Sequence, residues 1–129
     1  MRFAYTLIYV EDVSKTIEFY EKAFGFKKKF ITPQGDYGEL DTGQTTLCFA
    51  SNELGESNFA QGYEKISKSK KPVGIEIAFT TQTIEKDFKR AVNRGAVVFE
   101  NITQKPWGQK VGYLQDNNGL LIELCTPIK

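Results

Sequence analysis

Glu76 and Glu123 each interrupt an apolar run, in VGIEIAF and LLIELC, where a strand would set one carboxylate against a row of hydrophobic neighbours. If Ile75, Ile77 and Phe79 face a helix layer, as Ile122 and Leu124 would, both carboxylates point to the opposite side. Two facing carboxylates without a cation do not both ionise cheaply, so one titrates upward unless both are well hydrogen-bonded. A glutamate of that kind can act as a general acid or base. The pair can instead receive the amine or hydroxyl donors of a small molecule, or hold Mg²⁺ or Mn²⁺ with waters filling the shell. It can also bond to Tyr5, Tyr113 or buried water with no ligand at all. Of these, the metal-free ligand cavity is the expected arrangement. Cys48, in TTLCFA, is a possible nucleophile, but no cation or imidazole stands near it in sequence to lower its pKa, and buried packing is favoured.

What is missing narrows the chemistry further. The 129 residues include no histidine, which removes Ser-His-Asp catalysis, histidine-based metal triads and imidazole acid/base work. With 17 basic and 16 acidic side chains the net charge is +1, giving no electrostatic footprint for nucleic acid or an anionic membrane. No segment approaches the ~20 apolar residues that span a bilayer. The first dozen residues, MRFAYTLIYVED, lack the apolar core and cleavage site of a signal peptide, so the expected compartment is the cytoplasm. There the two cysteines, Cys48 and Cys125, are expected reduced and buried.

The elements that must position these residues repeat. FAYTLIYV (3–10) reads as a strand; Asp12 or Ser14 can cap a helix with Val13, Ile17, Phe19, Tyr20, Ala23 and Phe24 on its apolar face, and Gly25 ends it. FKKKFIT, GDYGELDT and TTLCFAS follow as three short strands. The second half runs in the same order. VGIEIAFT (73–80) is a strand, and Thr83 caps a helix carrying Ile84, Phe88, Ala91 and Val92 to Gly95. AVVFENIT, KVGYLQD and LLIELCT are three further strands. This predicts an α+β fold of two βαβββ modules, 1–50 and 73–129, within a single domain spanning 1–129. Curved mixed sheets would enclose a pocket, in one chain or across a dimer, with helices outside. Residues 51–72 are the expected connection, with a helical turn or two around Phe59–Ile66. Lys65, Lys68, Lys70 and Lys71 make its end a solvated face rather than an anion site.

VEDVSKTIEFYEKAFGF and QDNNGLLIEL resemble two motifs of the vicinal oxygen chelate superfamily, which includes lactoylglutathione lyase (glyoxalase), bleomycin-resistance proteins and extradiol dioxygenases. Val10, Asp12, Thr16, Phe19, Tyr20, Phe24 and Gly25 match the first motif; Asp116, Asn118, Gly119, Ile122, Glu123 and Leu124 match the second, with Asn117 in place of the usual proline. Metal-using members supply His or Gln, Glu, His and Glu from four strand positions. The resemblance implies that these fall on Tyr5, Cys48, Glu76 and Glu123, of which only Glu123 keeps the usual identity. It also implies a homodimer.

The expected function is therefore a glyoxalase/bleomycin-resistance-like protein binding a small molecule without a metal. The alternative is a glyoxalase-like lyase or isomerase with Glu76 and Glu123 as catalytic groups, with or without Mg, Mn, Zn or Ni. A tight last hairpin at Asn117–Asn118 sets Tyr113 across from Glu123. Trp107, on a Pro/Gly loop, reads as a stacking platform at the pocket rim or as a hydrophobic plug. Tyr37 and Phe49 from the first module and Phe59 from the connection are further candidate ligand contacts; Glu39 can face either way.

Overall fold

A computed structural model describes residues 1–128. The chain divides into two compact units, Met1–Ile66 and Ser67–Lys129. The boundary falls inside the expected connection, whose first part is built into the first unit.

The first unit holds β1 (Tyr5–Val10), α1 (Val13–Phe24), β2 (Lys27–Ile31), β3 (Tyr37–Asp41), β4 (Thr46–Ser51) and α2 (Asn52–Asn58). Its sheet runs β1-β4-β3-β2, with β1 parallel to β4 and the remaining pairs antiparallel. Asp12 is the N-cap of α1: its carboxylate accepts from the Lys15 N–H at 2.9 Å, while the Thr16 hydroxyl donates to the Asp12 carbonyl at 2.8 Å. Gly25 closes the helix in the left-handed conformation, φ 78°, donating to the Glu21 carbonyl. Between these caps Val13, Ile17, Phe19, Tyr20 and Ala23 form the buried face, and the Tyr20 ring meets Phe49 of β4 at 5.1 Å.

The helix expected around Phe59–Ile66 lies earlier in the chain. Ser51 caps α2 by accepting from the Leu54 N–H, and Phe59 is already extended. Residues 59–66 then turn at Gly62, φ 71°, and fold back, so that the Tyr63 hydroxyl donates to the Asn52 amide oxygen at 2.8 Å. Lys65 is ion-paired with Glu56 and is no anion site.

The second unit holds β5 (Glu76–Thr80), α3 (Ile84–Asn93), β6 (Val97–Gln104), β7 (Lys110–Gln115) and β8 (Leu121–Cys125), in the sheet order β5-β8-β7-β6. Strand β5 is parallel to β8, and the other pairs are antiparallel. This is the first unit's topology repeated, as the duplicated pattern predicts. Ile84, Phe88 and Ala91 are buried, but Val92 stays partly exposed. Thr83 stands at the N-cap without capping. Its hydroxyl donates instead to the Asp87 carboxylate at 3.0 Å, as the Thr81 hydroxyl also does. Ile75 precedes β5 and is exposed rather than part of the helix-facing row.

The DNNG segment is turn chemistry. The buried Asp116 carboxylate accepts from the N–H groups of Asn118 and Leu120 at 2.8 and 2.9 Å, and Gly119 takes φ 94°. Among the described residues no helix is long and apolar enough to cross a membrane.

Candidate ligand site

Strand register decides which side chains meet. In the second unit Glu76 pairs with Leu121, Ala78 with Glu123, and Glu123 with Tyr113 across the antiparallel ladder. Next out, Tyr113 pairs with Glu100 of β6. A Cβ placed on Gly112 would lie 2.7 Å from Phe88 of α3, so the row containing Gly112 and Leu124 faces the helix. Glu123, Tyr113 and Cys125 therefore occupy the opposite face, together with Glu76.

The carboxylate of Glu123 is the common partner of that face. Partial desolvation raises the pKa of Glu76, and the charge and hydrogen-bonding of Glu123 add to the shift. Tyr113 is raised for the same reasons in the same order. Burial, then contact with Glu123, pushes the Cys125 thiol up to about 11. Among the described residues neither Glu76 nor Glu123 has an ion-pair partner. A cavity of about 250 Å³ opens over this strip, lined by Gly74, Ile75, Glu76, Phe99, Glu100, Tyr113 and Leu121. Glu123 is not in the lining; it acts on the cavity through Glu76 and Tyr113.

The first unit carries a related strip. Tyr5 pairs with Thr46 as Glu76 pairs with Leu121, and Glu39 pairs with Cys48 as Tyr113 pairs with Glu123. By register, then, Tyr5 and Cys48 are the counterparts of Glu76 and Glu123. The acid has changed strand: it sits on β3 as Glu39 here and on β8 as Glu123 there. Glu39 does not stand free. The Tyr37 hydroxyl donates to it at 2.7 Å, and Lys29 lies 3.7 Å away. Desolvation, with hydrogen-bonding to Cys48 and Glu39, raises the Tyr37 phenol. Cys48 is fully buried, donates toward the Thr6 carbonyl at 3.3 Å, and is raised chiefly by desolvation, so it is a packed thiol without thiolate character. Tyr5 is 55% exposed.

Three expected contacts lie elsewhere. Phe49 is wholly buried against Tyr20 on the helix side of β4 and offers no wall to a ligand. Phe59 is half exposed and packs edge-on against Tyr9 and Tyr63, at 5.9 and 6.1 Å. Trp107 lies on the β6–β7 loop and is absent from the Glu76 cavity lining. Conversely, Cys125 and Glu100 join the strip without having been singled out. Cys125 follows Glu123 by two residues, so strand alternation alone places both on one face. Glu100 is hidden by a bulge between Val98 and Glu100 that resets which side chains point outward.

The donor set does not fit a divalent metal. Among the described residues no three His, Cys, Asp or Glu side chains are arranged to hold one. The strip gathers the facing carboxylates of Glu76 and Glu123, a third from Glu100, a phenol and a thiol held protonated, without the imidazoles of a transition-metal site.

A model of the Glyoxalase/Bleomycin resistance protein/Dioxygenase superfamily matches residues 2–124. No curated protein matches the sequence. Among solved structures, a glyoxalase-related enzyme from Fulvimarina pelagi superposes with a TM-score of 0.81 at 15% identity, over 98% of this chain and 88% of its own. A glyoxalase/bleomycin resistance protein/dioxygenase family enzyme from Burkholderia phytofirmans PsJN gives 0.81 at 20% identity, over 95% and 96%. A superfamily member from Sphaerobacter thermophilus gives 0.70 at 23% identity, over 98% of each chain. At such identities the likeness establishes a shared fold alone.

Proposed function

This chain belongs to the glyoxalase/bleomycin resistance protein/dioxygenase superfamily, and from that footing we propose that its second unit binds a small, donor-bearing organic molecule without a metal. The observation that carries the reading is Glu76, which faces Glu123 with no cation among the described residues and lines a cavity with apolar walls. An amine or hydroxyl entering there meets the carboxylates of Glu76 and Glu100 and the phenol of Tyr113. Ile75, Phe99 and Leu121 exclude water around the apolar part of the ligand. A protonated amine would also relieve the repulsion between Glu76 and Glu123, a stabilisation unavailable to a neutral apolar molecule. This reading takes the protein as a cytoplasmic homodimer, which light scattering on the purified chain tests for its oligomeric part.

The raised Glu76 supports a second reading, in which it exchanges a proton with a bound carbonyl compound, as in a lyase or isomerase of the lactoylglutathione-lyase type.

Calorimetry separates these. Aromatic primary amines should bind the metal-free protein and lose at least tenfold in affinity in Glu123→Gln, whereas Ni²⁺, Zn²⁺, Mn²⁺ and Mg²⁺ should give no saturable heat. Stoichiometric metal binding lost in Glu123→Gln would overturn the metal-free reading, and turnover of hemithioacetals lost in Glu76→Gln would establish the second.

A further inference from the structure

The second unit has another cavity, of about 590 Å³, at the start of β7 and the end of β8, and it shares no lining residue with the Glu76 strip. Its volume lies within the ~300–1,000 Å³ typical of small-molecule sites. Trp107 forms one wall and is 64% exposed, a large apolar surface to leave in water. The indole is nonetheless held in place. Its Nε1–H donates to Gln109 Oε1 at 2.9 Å, and Gln109 Nε2 donates to the Thr126 carbonyl at 2.8 Å, tying the loop to the strand end. The loop itself closes through two backbone bonds of 2.8 Å, from the Lys105 N–H to the Gln109 carbonyl and from the Gly108 N–H to the Lys105 carbonyl. With its edge engaged in this way, the ring keeps its face for stacking. Ile84, Pro127 and Ile128 complete the apolar lining.

The polar groups of the lining decide what the stacked ring must carry. Several of its acceptors are already engaged: Gln109 Oε1 by the indole, the Thr126 carbonyl by Gln109, and Thr126 Oγ1 by the Lys110 N–H, while Gln82 adds a neutral amide. The Glu85 carboxylate is occupied by Lys110 at 2.6 Å and by its own backbone N–H. Lys110 is different. Its ammonium has three donors, of which Glu85 takes one, and its side chain is 45% exposed. Among the described lining residues Lys110 is the one cation, its spare donors carry positive charge, and a ligand matches them with an anionic acceptor. We infer that this cavity is a second binding site, for a planar aromatic carboxylate that stacks on Trp107 and joins Glu85 on the ammonium of Lys110.

Trp107 is the chain's one tryptophan, so its indole N–H gives one resonance that reports on this site directly. In ¹H–¹⁵N spectra of the full chain, 2-naphthoate should shift that resonance saturably. The neutral 2-naphthalenemethanol should bind at least fivefold more weakly. Lys110→Gln should weaken naphthoate about tenfold, whereas Glu85→Gln, which removes the competing carboxylate, should strengthen it. Both substitutions lie at an exposed ion pair, so the fold should survive them. An indole resonance that does not move overturns the inference, as does a neutral analogue that binds equally well. Glu123→Gln should leave naphthoate binding unchanged, which keeps this result separate from the fate of the Glu76 strip.

Discussion

Tyr113 stands directly across the β7–β8 ladder from Glu123, on the face turned away from α3. That rung brings a phenol to a carboxylate already shared by Glu76 and Cys125, so a change at Glu123 is felt by three titrating groups.

Glu76 has a pKa above its unfolded value, so its contribution to stability is fully present below the ordinary carboxylate range and is lost as pH rises through the raised pKa. Glu76→Gln keeps the shape and removes the repulsion. Near pH 4 the variant and the parent should melt together. At pH 8 the variant should melt about 2–4 °C higher, the scale of a solvent-screened pair. A variant less stable than the parent at pH 8 would show that ionised Glu76 stabilises the fold.

The two thiols should be silent in the native state. Cys48 and Cys125 are free and buried, and with a pKa of about 11 only about one Cys125 in a thousand is thiolate at pH 8. A disulfide-exchange reagent should find almost no thiol in the native protein and two per chain in guanidinium chloride. Glu123→Gln removes a charge and a hydrogen-bond partner that raise Cys125, so its ultraviolet thiolate titration should move to lower pH while remaining above 9, because burial persists.

Phe49 and Phe59 should separate cleanly. Phe49→Ala empties a fully buried site beneath Tyr20 and should cost about 3–5 kcal/mol in denaturant unfolding. Phe59→Ala trims a half-exposed ring and should cost less than about 1 kcal/mol. Equal losses would mean that Phe59 is buried in solution.

Gly38 and Gly112 occupy matching rungs opposite Phe49 and Leu124. A methyl on Gly112 would meet Phe88 at 2.7 Å, whereas one on Gly38 finds its nearest neighbour at 3.1 Å. Gly112→Ala should therefore cost about 1–3 kcal/mol through displacement of α3, and Gly38→Ala should cost less. Unfolding midpoints of the two variants measure the difference.

The repeat was legible because each half carries its own punctuation: Asp12 and Gly25 bracket α1, and alternating apolar residues mark the strands that follow. The rung between Tyr113 and Glu123 was legible too, since a tight turn at Asn117–Asn118 fixes register by counting outward. The misplaced helix had a local cause. Ser51 ends β4 and caps α2 at once, so the helix starts at the very beginning of the expected connection, and the aromatic residues after it belong to a fold-back around Tyr63. The side taken by Phe49 is not legible, because strand β4 is buried on both faces, from Leu47 to Ala50, and a continuous apolar run does not say which face is which. Glu100 needed the bulge, which leaves no signature in composition.

Among the described residues each unit's first strand pairs only with its last: β1 lies at the sheet edge beside β4, and β5 beside β8. During synthesis, therefore, β1 has no partner until Thr46 and its successors have emerged, and β5 has none until Leu121. Until then each strand leaves the ribosome as an unpaired apolar edge, the form of chain most open to wrong pairing or chaperone capture. The face bearing Glu76 thus comes together only once Leu121–Cys125 has been made.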